Sequence, residues 1–318
     1  MADKPAAEVR IDADLVRSLL ADQRPDLASL PLRLAAEGWD NATWRLGGSL
    51  AVRLPRRAAS STLVHNEQRC LPVLAARIDL PLPVPVHSGV PSGQFPWHWS
   101  VVPWFSGRPA ATVALDDRGT AATGLARFLA QLHHPAPPDA PHNPYRGVDL
   151  ATRSAAVLAR LDDPTFPRAE EARALWADLS AAPPWAGAPT WVHGDLHPYN
   201  ILLEVPEHEV APGPLLGAVI DFGDVTAGDP ATDLATAWLT FGPAARRTFV
   251  ESVTGACGTD TATWRRARGW ALLMASALLA QSDDDPSFRR LGRTVLDQVL
   301  DDPVVAAPVV DRCAPGRP

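Results

Sequence analysis

The stretches VHGDLHPYN (residues 192–200) and VIDFGD (residues 219–224) carry the strongest signal in the sequence. The first fits the pattern His-x-Asp-x4-Asn, and the second contains Asp-Phe-Gly. Each is flanked by apolar residues that favour a β-strand, so the polar side chains are expected at strand ends. The oxygen-bearing residues among them are Asp195, Asn200 and Asp221, and hard oxygen ligands of this type suit Mg²⁺.

The same residue types have defined roles in phosphoryl transfer of the protein-kinase type. An Asp accepts the proton of the attacking hydroxyl, while an Asn and the Asp of Asp-Phe-Gly hold Mg²⁺ on the phosphates. Either motif alone arises by chance in a chain this long with odds of order a few per cent. Two motifs in the right order, each beside an apolar strand, favour this chemistry over loop acids that merely cap helices.

The charge of the chain limits the kinds of partner. Its 29 Lys and Arg against 36 Asp and Glu give a net charge of −7, which argues against nucleic acid because phosphate backbones bind basic surfaces. Residues 1–107 carry 11 basic and 10 acidic residues, whereas residues 108–318 carry 18 and 26. The second part, at 18 minus 26 or −8, suits a cationic small molecule.

Lys4 is the single lysine of the chain, and the other 28 basic residues are arginines. A phosphate loop of the Walker type needs Gly-Lys-Ser/Thr, and Schiff-base catalysis needs a buried lysine. Both are excluded if Lys4 belongs to a frayed start of the chain. Any cationic role in a site therefore falls to arginine or histidine.

The composition is that of an ordinary globular protein, with 46% hydrophobic residues. No uninterrupted apolar run reaches the ~18–20 residues that a membrane span needs, and the first residues lack a signal peptide's apolar segment. Three scattered cysteines form neither a disulfide framework nor a metal cluster. We expect a cytoplasmic protein, a monomer or homodimer, with no membrane partner.

The predicted elements divide the chain into two parts. The strand patterns lie at residues 43–46, 49–54, 83–87 and 97–102. One helical pattern over residues 60–77, expected to break at Pro72, interrupts them. Helical spacing dominates after Gly107, which predicts an α+β fold with a small antiparallel β-sheet lobe (1–107) followed by a larger, mostly helical lobe (108–318).

The segments 192–200, 219–224 and GDPATDLA (228–235) resemble the aminoglycoside phosphotransferase family. That family is a kinase-like group, and the likeness spans about residues 34–300. It implies a protein-kinase-like, two-lobe fold with a nucleotide-binding lobe and a catalytic, acceptor-binding lobe. It also implies Asp195 as the catalytic base, Asn200 and Asp221 as magnesium ligands, and Asp233 as a partner for the backbone of the catalytic loop.

The cation of the nucleotide-binding lobe departs from the family pattern. By the resemblance, Arg53 takes the place of a lysine that many members carry on the third strand. Glu67, on the following helix, matches the acid that orients this cation. Arginine keeps the charge and can bind two phosphate oxygens at once, although its shape differs from that of an ammonium group. The neighbouring Arg56 and Arg57 are interpreted as exposed strand arginines.

The contacts with the nucleotide follow less clearly from the sequence. The turn over residues 38–43 contains one glycine, so a side chain, Asn41 or Thr43, would bind the phosphates, or the turn is an ordinary Asx turn. Residues 103–107 resemble the hinge between the lobes. There, the C=O of Pro103 and the N–H of Phe105 would bind the base of the nucleotide.

Together these features predict a Mg²⁺-dependent transfer of the γ-phosphate of ATP, or of GTP, to a hydroxyl of a small molecule. An aminoglycoside or another antibiotic is one acceptor class, while macrolides, sugars and amino alcohols stay open. A nucleotide-binding pseudokinase is a second hypothesis, which the presence of Asp195, Asn200 and Asp221 opposes. A metal-dependent hydrolase that uses His193 and nearby acids is a third.

Overall fold

The computed structural model of the protein describes residues 6–204, 213–282 and 285–303. It contains a first lobe built on an antiparallel sheet and a second lobe that is mostly helical. This arrangement confirms the α+β order expected from the sequence. Within the described ranges, none of the helices combines the length and the apolar character of a membrane span.

The small lobe is a five-stranded sheet with two helices. Its elements are α1 (Ala13–Gln23), β1 (Leu32–Glu37), β2 (Asn41–Leu46), β3 (Leu50–Pro55), α2 (Ala58–Ala75), β4 (His87–Gly89) and β5 (Trp99–Pro103). The strands pair antiparallel in the order β1-β2-β3-β5-β4. The strand predicted over residues 83–87 is wrong: β4 begins only at His87, because Pro83 and Pro85 lack the N–H groups that pairing requires.

The two faces of this sheet meet different neighbours, because side chains alternate along a strand. Trp44, Val52 and Leu54 belong to the small-lobe core, together with Leu19 and other apolar residues of α1. The opposite face is polar. The register pairs Thr43 with Arg53 and Arg53 with Ser100, which places these three residues on the face that α2 covers.

Helix α2 connects the lobes and runs unbroken through Pro72, so the predicted break is wrong. Proline lacks the N–H that would bond to the C=O of Gln68, but this costs a single hydrogen bond near the end of the helix. Leu71 and Leu74 on either side are fully buried in the core of the large lobe. Burial of these side chains keeps the last turn helical and fixes α2 against both lobes.

The large lobe contains most of the helices. They are α3 (Ala122–Leu132), α4 (Ser154–Leu161), α5 (Ala169–Ser180), α6 (Ala231–Leu234), α7 (Thr236–Thr240), α8 (Pro243–Cys257), α9 (Thr261–Gln281) and α10 (Pro286–Leu300). Helix α9 is central: it packs against α4, α5, α6, α7 and α10. It is buried on nearly all sides between Thr263 and Ser276, as expected for the middle helix of a helical core.

Short strands of the large lobe flank the two polar motifs. They are β6 (Arg108–Pro109), β7 (Thr190–Val192), β8 (Ile201–Glu204), β9 (Leu215–Val219) and β10 (Thr226–Gly228). Strands β6, β8 and β9 form one antiparallel sheet, and β7 pairs with β10. Both sequence motifs therefore follow paired strands, and Asp221 of the second motif contacts Arg53 of the small lobe.

Candidate active site

The loop between β7 and β8, residues 193–200, is held in place by a buried carboxylate. Asp233 accepts the backbone N–H groups of His193 at 2.8 Å and of Gly194 at 2.9 Å. Its Oδ2 atom also lies 3.0 Å from Nε2 of His133. Asp233 is fully buried, and two charge-assisted hydrogen bonds from one carboxylate fix the loop firmly. The contact expected for Asp233 is confirmed.

His193 links the two polar segments through both nitrogens of its ring. Its Nε2 atom lies 3.0 Å from the C=O of Ile220, and its Nδ1 atom lies 3.2 Å from the N–H of Asp195. Because a carbonyl only accepts and an amide N–H only donates, the ring carries its proton on Nε2 and accepts at Nδ1. His193 therefore has no free nitrogen for a metal ion, which counts against the hydrolase hypothesis.

Gly194 is required by the close approach of the two segments. Its φ of 89° lies in the left-handed region, and a Cβ at this position would come within 2.5 Å of the C=O of Asp224. Only glycine avoids both the backbone strain and the clash. The local sequence thus allows the loop of residues 193–200 to lie directly against the Asp-Phe-Gly segment.

Asp195 lies between Arg146 and His197 at the surface of the cleft. Arg146 Nη2 is 3.2 Å from Oδ1, and His197 Nε2 is 3.3 Å from Oδ2. Burial would raise the pKa of Asp195, but His197, Arg146 and His193 hold it well below its ordinary value. With 27% of its side chain exposed, Asp195 is an ionised carboxylate that a hydroxyl group in the cleft can reach.

Asn200 and Asp221 come together at the end of the β8–β9 hairpin. The N–H of Ile220 donates to the C=O of Asn200 at 2.9 Å, which continues the ladder by one pair. The Asn200 side chain donates from Nδ2 to the C=O of Asp195 at 2.9 Å, so its Oδ1 is the end left for a ligand. Asp221 adopts φ 63°, and such left-handed non-glycine residues occur often at functional sites.

Arg53 spans the cleft between the lobes. Its Nη1 atom donates to both oxygens of Glu67, at 2.8 and 3.0 Å, and its Nη2 atom donates to Oδ1 of Asp221 at 2.7 Å. Burial would lower the pKa of Arg53, but the charges of Glu67 and Asp221 raise it above its ordinary value. Burial raises the pKa of Glu67, and Arg53 opposes that change. The pairing of Arg53 with Glu67 is the one expected from the sequence, whereas the contact with Asp221 was not foreseen.

The turn at residues 38–41 is tightly bound, and the interpretation of Arg56 as an exposed arginine is wrong. Arg56 is 8% exposed and donates from Nη1 to the C=O of Gly38 at 3.2 Å. Arg57 Nη2 lies 2.9 Å from Oδ1 of Asp40, which also accepts the hydroxyl of Ser60. These bonds fix the turn, because both ends of it are tied to the start of α2.

Asn41 and Thr43 lie on the same sheet face as Arg53, two residues apart on β2. Asn41 is a strand residue, although the sequence placed it in the turn. It is 8% exposed, and its Oδ1 atom is buried with no hydrogen-bond partner in the described part of the chain. An unsatisfied buried polar atom is costly, so Asn41 is a position where a bound group would complete the local hydrogen bonding.

The predicted hinge lies where the sheet ends. Pro103 is the last residue of β5 and pairs with Leu50, and the N–H of Trp104 donates to the C=O of Ser49 at 2.8 Å. Arg45 stacks over the Trp104 ring at 4.4 Å. Pro103 and Phe105 are both half-buried, and the chain then enters β6 of the large lobe. This segment links the lobes covalently, as the hinge prediction requires.

The loop over residues 141–147 was missed by the reading of the sequence. Asn143 donates from Nδ2 to Oδ1 of Asp224 at 2.7 Å, and Gly147 bonds with both its N–H and its C=O to the segment that ends in α6. Burial raises the pKa of Asp224. These contacts of the loop place Arg146 next to Asp195. Prolines and Gly147 indicate a loop here, but no sequence pattern indicates which distant residues it contacts.

The donor set around Asn200 and Asp221 fits Mg²⁺. Half of the Asp221 side chain is exposed (49%), and one amide oxygen of Asn200 is available. In the described ranges, no group of three or more His, Cys, Asp or Glu side chains is arranged to bind a metal ion. One carboxylate and one amide oxygen are the kind of donor set that Mg²⁺ uses together with water and substrate phosphates.

The fold is similar to those of antibiotic phosphotransferases. An aminoglycoside 2'-phosphotransferase-IIIa, solved as its GDP complex, superposes with a TM-score of 0.64 at 18% identity, covering 91% of this chain and 99% of that one. The macrolide 2'-phosphotransferase MphH from Brachybacterium faecium gives 0.59 at 23% identity, with 89% and 98% covered. A type I macrolide 2'-phosphotransferase gives 0.62 at 19% identity, with 92% and 99% covered. At these identities the likeness establishes the fold.

A comparison with curated proteins finds no match. The model of the phosphotransferase enzyme family, in contrast, matches residues 31–270. That range runs from β1 to the middle of α9 and includes both polar motifs, Arg53 and Glu67. With most of its length matched and with the fold of aminoglycoside and macrolide phosphotransferases, the chain belongs to the phosphotransferase enzyme family.

Proposed function

We propose that the protein transfers the γ-phosphate of ATP or GTP to a hydroxyl group of a small molecule. One observation carries this proposal: Arg53 of the small lobe bonds directly to Asp221 of the large lobe, beside Asn200 and Asp195. A cation, an ionised carboxylate and oxygen ligands for a metal ion thus line a single cleft. Phosphoryl transfer needs mainly positioning and charge stabilisation, and these groups supply both.

Asp195 is the residue proposed to bind the acceptor hydroxyl. Its lowered pKa keeps it ionised at neutral pH, so it can accept a hydrogen bond from the attacking O–H. A carboxylate of low pKa retains a proton poorly. The main effect of Asp195 is therefore to orient the hydroxyl, and the proton moves to its oxygen late in a loose transition state.

Arg53, Glu67 and the residues of β2 are proposed to bind the nucleotide. Arg53 has the charge and the planar fork that fit two phosphate oxygens. Glu67 fixes the direction of the guanidinium from behind, at 2.8 Å. Asn41 or Thr43, on the same sheet face, would bind the phosphates. The C=O of Pro103 and the N–H of Phe105 would bind the base, with residues 103–107 as the hinge between lobes 1–107 and 108–318.

Asn200 and Asp221 are the residues proposed to bind Mg²⁺. The ion would neutralise negative charge on the transferring phosphate. Arg53 bonds to one oxygen of Asp221. The other oxygen of Asp221 and the Oδ1 of Asn200 are then the donors available for the ion.

The acceptor class is open among aminoglycosides, macrolides and metabolites with hydroxyl groups. The solved relatives include complexes with kanamycin and with gentamicin, both named as ligands of aminoglycoside phosphotransferases. The −8 charge of residues 108–318 led to the expectation of a cationic acceptor. The charges of the side chains beside Asp195 bear on the choice of acceptor more directly than this sum.

A panel of hydroxyl compounds incubated with MgATP or MgGTP tests the proposal, with phosphorylated product detected by mass spectrometry. We expect a gain of one phosphoryl group on at least one acceptor and no gain after removal of divalent cations with EDTA. The proposal fails if no nucleotide and acceptor pair gives product. It also fails in its metal requirement if EDTA leaves the product yield unchanged.

A further inference from the structure

A pocket of about 420 Å³ opens on the large lobe. It lies between the α4–α5 connection, the end of α9 and the start of α10. Phe166 and Leu279 give it an apolar wall. Its charged residues in the described part of the chain are four arginines and one acid: Arg160, Arg289, Arg290, Arg293 and Asp163. This volume falls within the usual range of small-molecule pockets.

Three of these arginines have no carboxylate partner among the described residues. Arg160 bonds to the hydroxyl of Ser276 at 3.3 Å, and Arg290 bonds to the hydroxyl of Ser287 at 3.1 Å. The third is Arg293, on the exposed side of α10. Clustered like charges repel, so binding of an anion among these arginines would be favourable.

The nearby Arg168 shows how the same lobe neutralises a structural arginine. It lies in ion-pair distance of Glu171, Asp297 and Asp301, at 2.7, 3.4 and 2.8 Å. The pocket acid, Asp163, instead accepts both the N–H and the hydroxyl of Thr165 through one oxygen. Among the described residues, Arg160, Arg290 and Arg293 therefore differ from Arg168, whose charge is balanced by carboxylates.

The pocket is connected to Asp195 by packing and by charge. Phe288, on the first turn of α10, stacks against Tyr199 at 4.6 Å and contacts His197 at 5.8 Å. Burial lowers the pKa of Arg160, and the nearby charges of Arg153 and Arg146 lower it further. The charges of Arg160, Arg153 and Arg146 thus influence one another, and Arg146, the last of this row of arginines, contacts Asp195.

The acids near this row of arginines are already engaged. Asp195 and Asp224 face Arg146, and Asp285 caps α10 by accepting the N–H of Ser287 at 2.8 Å. Asp283 and Asp284 lie outside the described residues. Arg153 lies 5.1 Å over the ring of Tyr145, which is 60% exposed. The described surroundings of Asp195 therefore include Arg146, and Tyr145, its neighbour in the chain, stacks with Arg153.

We infer that the acceptor carries an anionic group, a carboxylate or a phosphate, on an apolar body, and that this group binds in the arginine pocket. The inference rests on the proposed function. Guanidinium groups bind both anions through paired hydrogen bonds, while Phe166 and Leu279 contact the apolar part. The net charge of −8 over residues 108–318 is a global sum and does not describe this local surface.

Binding of four matched sugars tests the pocket directly. Glucose 6-phosphate, glucuronate, glucose and glucosamine are titrated by calorimetry into protein saturated with Mg²⁺ and a non-hydrolysable ATP analogue, which occupies the nucleotide site. We expect glucose 6-phosphate or glucuronate to bind about tenfold or more tightly than glucose, since charge-assisted hydrogen bonds contribute at least that factor. Glucosamine should bind most weakly.

Variants of the pocket arginines test whether the anionic sugar binds in this pocket. Arg160→Gln and Arg293→Gln should each weaken binding of the anionic sugar about tenfold, while Arg33→Gln, an exposed arginine on β1, should not. Arg293 is exposed, so its variant tests the pocket even if Arg160→Gln unfolds the protein. Equal affinity for glucose and both anionic sugars overturns the inference, as does unchanged affinity in Arg293→Gln.

Measurement of kcat and KM distinguishes failure of this inference from failure of the proposed function. With an acceptor found in the mass-spectrometric panel, Arg293→Gln should raise KM about tenfold and leave kcat within about twofold. A cationic acceptor whose KM is unchanged in Arg293→Gln overturns the inference and leaves the phosphotransferase proposal intact. Absence of transfer to every acceptor, with the anionic sugars still bound, contradicts the proposed function alone.

Discussion

The two sides of the cleft are built differently. On the large-lobe side, the loop over residues 193–200 is fixed through its backbone, by two N–H bonds to the buried Asp233. On the small-lobe side, the cation is fixed through side chains alone, by the contacts of Arg53 with Glu67 and Asp221. Hydrogen bonds to the loop backbone are kept when side chains of the loop are substituted. The position of Arg53, in contrast, depends on side-chain contacts that are lost when Glu67 or Asp221 is replaced.

This difference predicts which substitutions affect activity alone and which also affect stability. Changes at Arg53 or Glu67 should alter activity with little effect on the fold of the catalytic loop. Changes at Asp233 should lower the free energy of unfolding as well as activity.

Arg53→Ala should have the largest effect on the small-lobe side. It removes the proposed phosphate cation and leaves Glu67 buried without its partner, so kcat/KM should fall by about a hundredfold to a thousandfold. Arg53→Lys restores a charge at this position and should retain partial activity. Steady-state kinetics of the three proteins test this order. Full activity in Arg53→Ala would show that the cation comes from another residue.

Asp233→Asn should destabilise the large-lobe side. The two backbone N–H groups bond to different oxygens of Asp233, and asparagine replaces one of these oxygens with an NH₂ donor. One N–H is then left buried without an acceptor. We expect a loss of about 2–3 kcal/mol in the free energy of unfolding, measured by urea denaturation. Asp22→Asn, at an exposed position on α1, is the control and should change stability by no more than about 0.5 kcal/mol. Equal stability of both variants would refute the anchoring role.

Glu67→Gln should reduce kcat/KM about tenfold, less than the loss of Arg53, because the arginine keeps its contact with Asp221. The double variant with Arg53→Ala should be less than additive, since the two residues act as a unit. A double-mutant cycle on kcat/KM measures this coupling. Strict additivity would mean that Glu67 does not act through Arg53.

Arg146→Gln should shift the acid limb of the pH profile with little change at neutral pH. A carboxylate with a lowered pKa stays ionised until the pH falls below the ordinary range, so the wild type should keep its kcat/KM down to about pH 4. Without Arg146 the pKa of Asp195 rises, and activity should decline from a higher pH. Arg153→Gln, which leaves the contact with Asp195 intact, should keep the wild-type profile. Identical limbs in all three proteins would contradict the role of Arg146.

The large-lobe side could be predicted from the sequence because its groups lie close together in the chain. Asp195 and Asn200 are five residues apart, and Asp233 follows Asp221 by twelve, so short motifs contain most of the geometry. The contact between Arg53 and Asp221 joins residues 168 positions apart. A short sequence motif contains no information about such a distant contact. Arg146 is similar: it reaches Asp195 through a proline-rich loop whose course depends on tertiary contacts.

Some errors arose where tertiary packing overrides a local preference. Pro72 normally ends a helix, but burial of Leu71 and Leu74 in the large lobe keeps α2 continuous. Arg56 follows the end of β3, where a charged residue is expected to be exposed. It is buried instead, and its guanidinium donates a hydrogen bond to the C=O of Gly38. Neither outcome follows from the spacing of apolar residues, since both depend on which elements meet in three dimensions.

Replacement of Asp195 by asparagine tests the proposed chemistry most directly. Asn keeps the shape of the side chain but removes the charge that orients the acceptor hydroxyl, so kcat should fall at least ~100-fold. Calorimetry should show unchanged affinity for the Mg²⁺ complex of a non-hydrolysable ATP analogue. Near-normal kcat in Asp195→Asn with an acceptor that the wild type phosphorylates would contradict the assignment of Asp195 and of the cleft around it as the phosphoryl-transfer site.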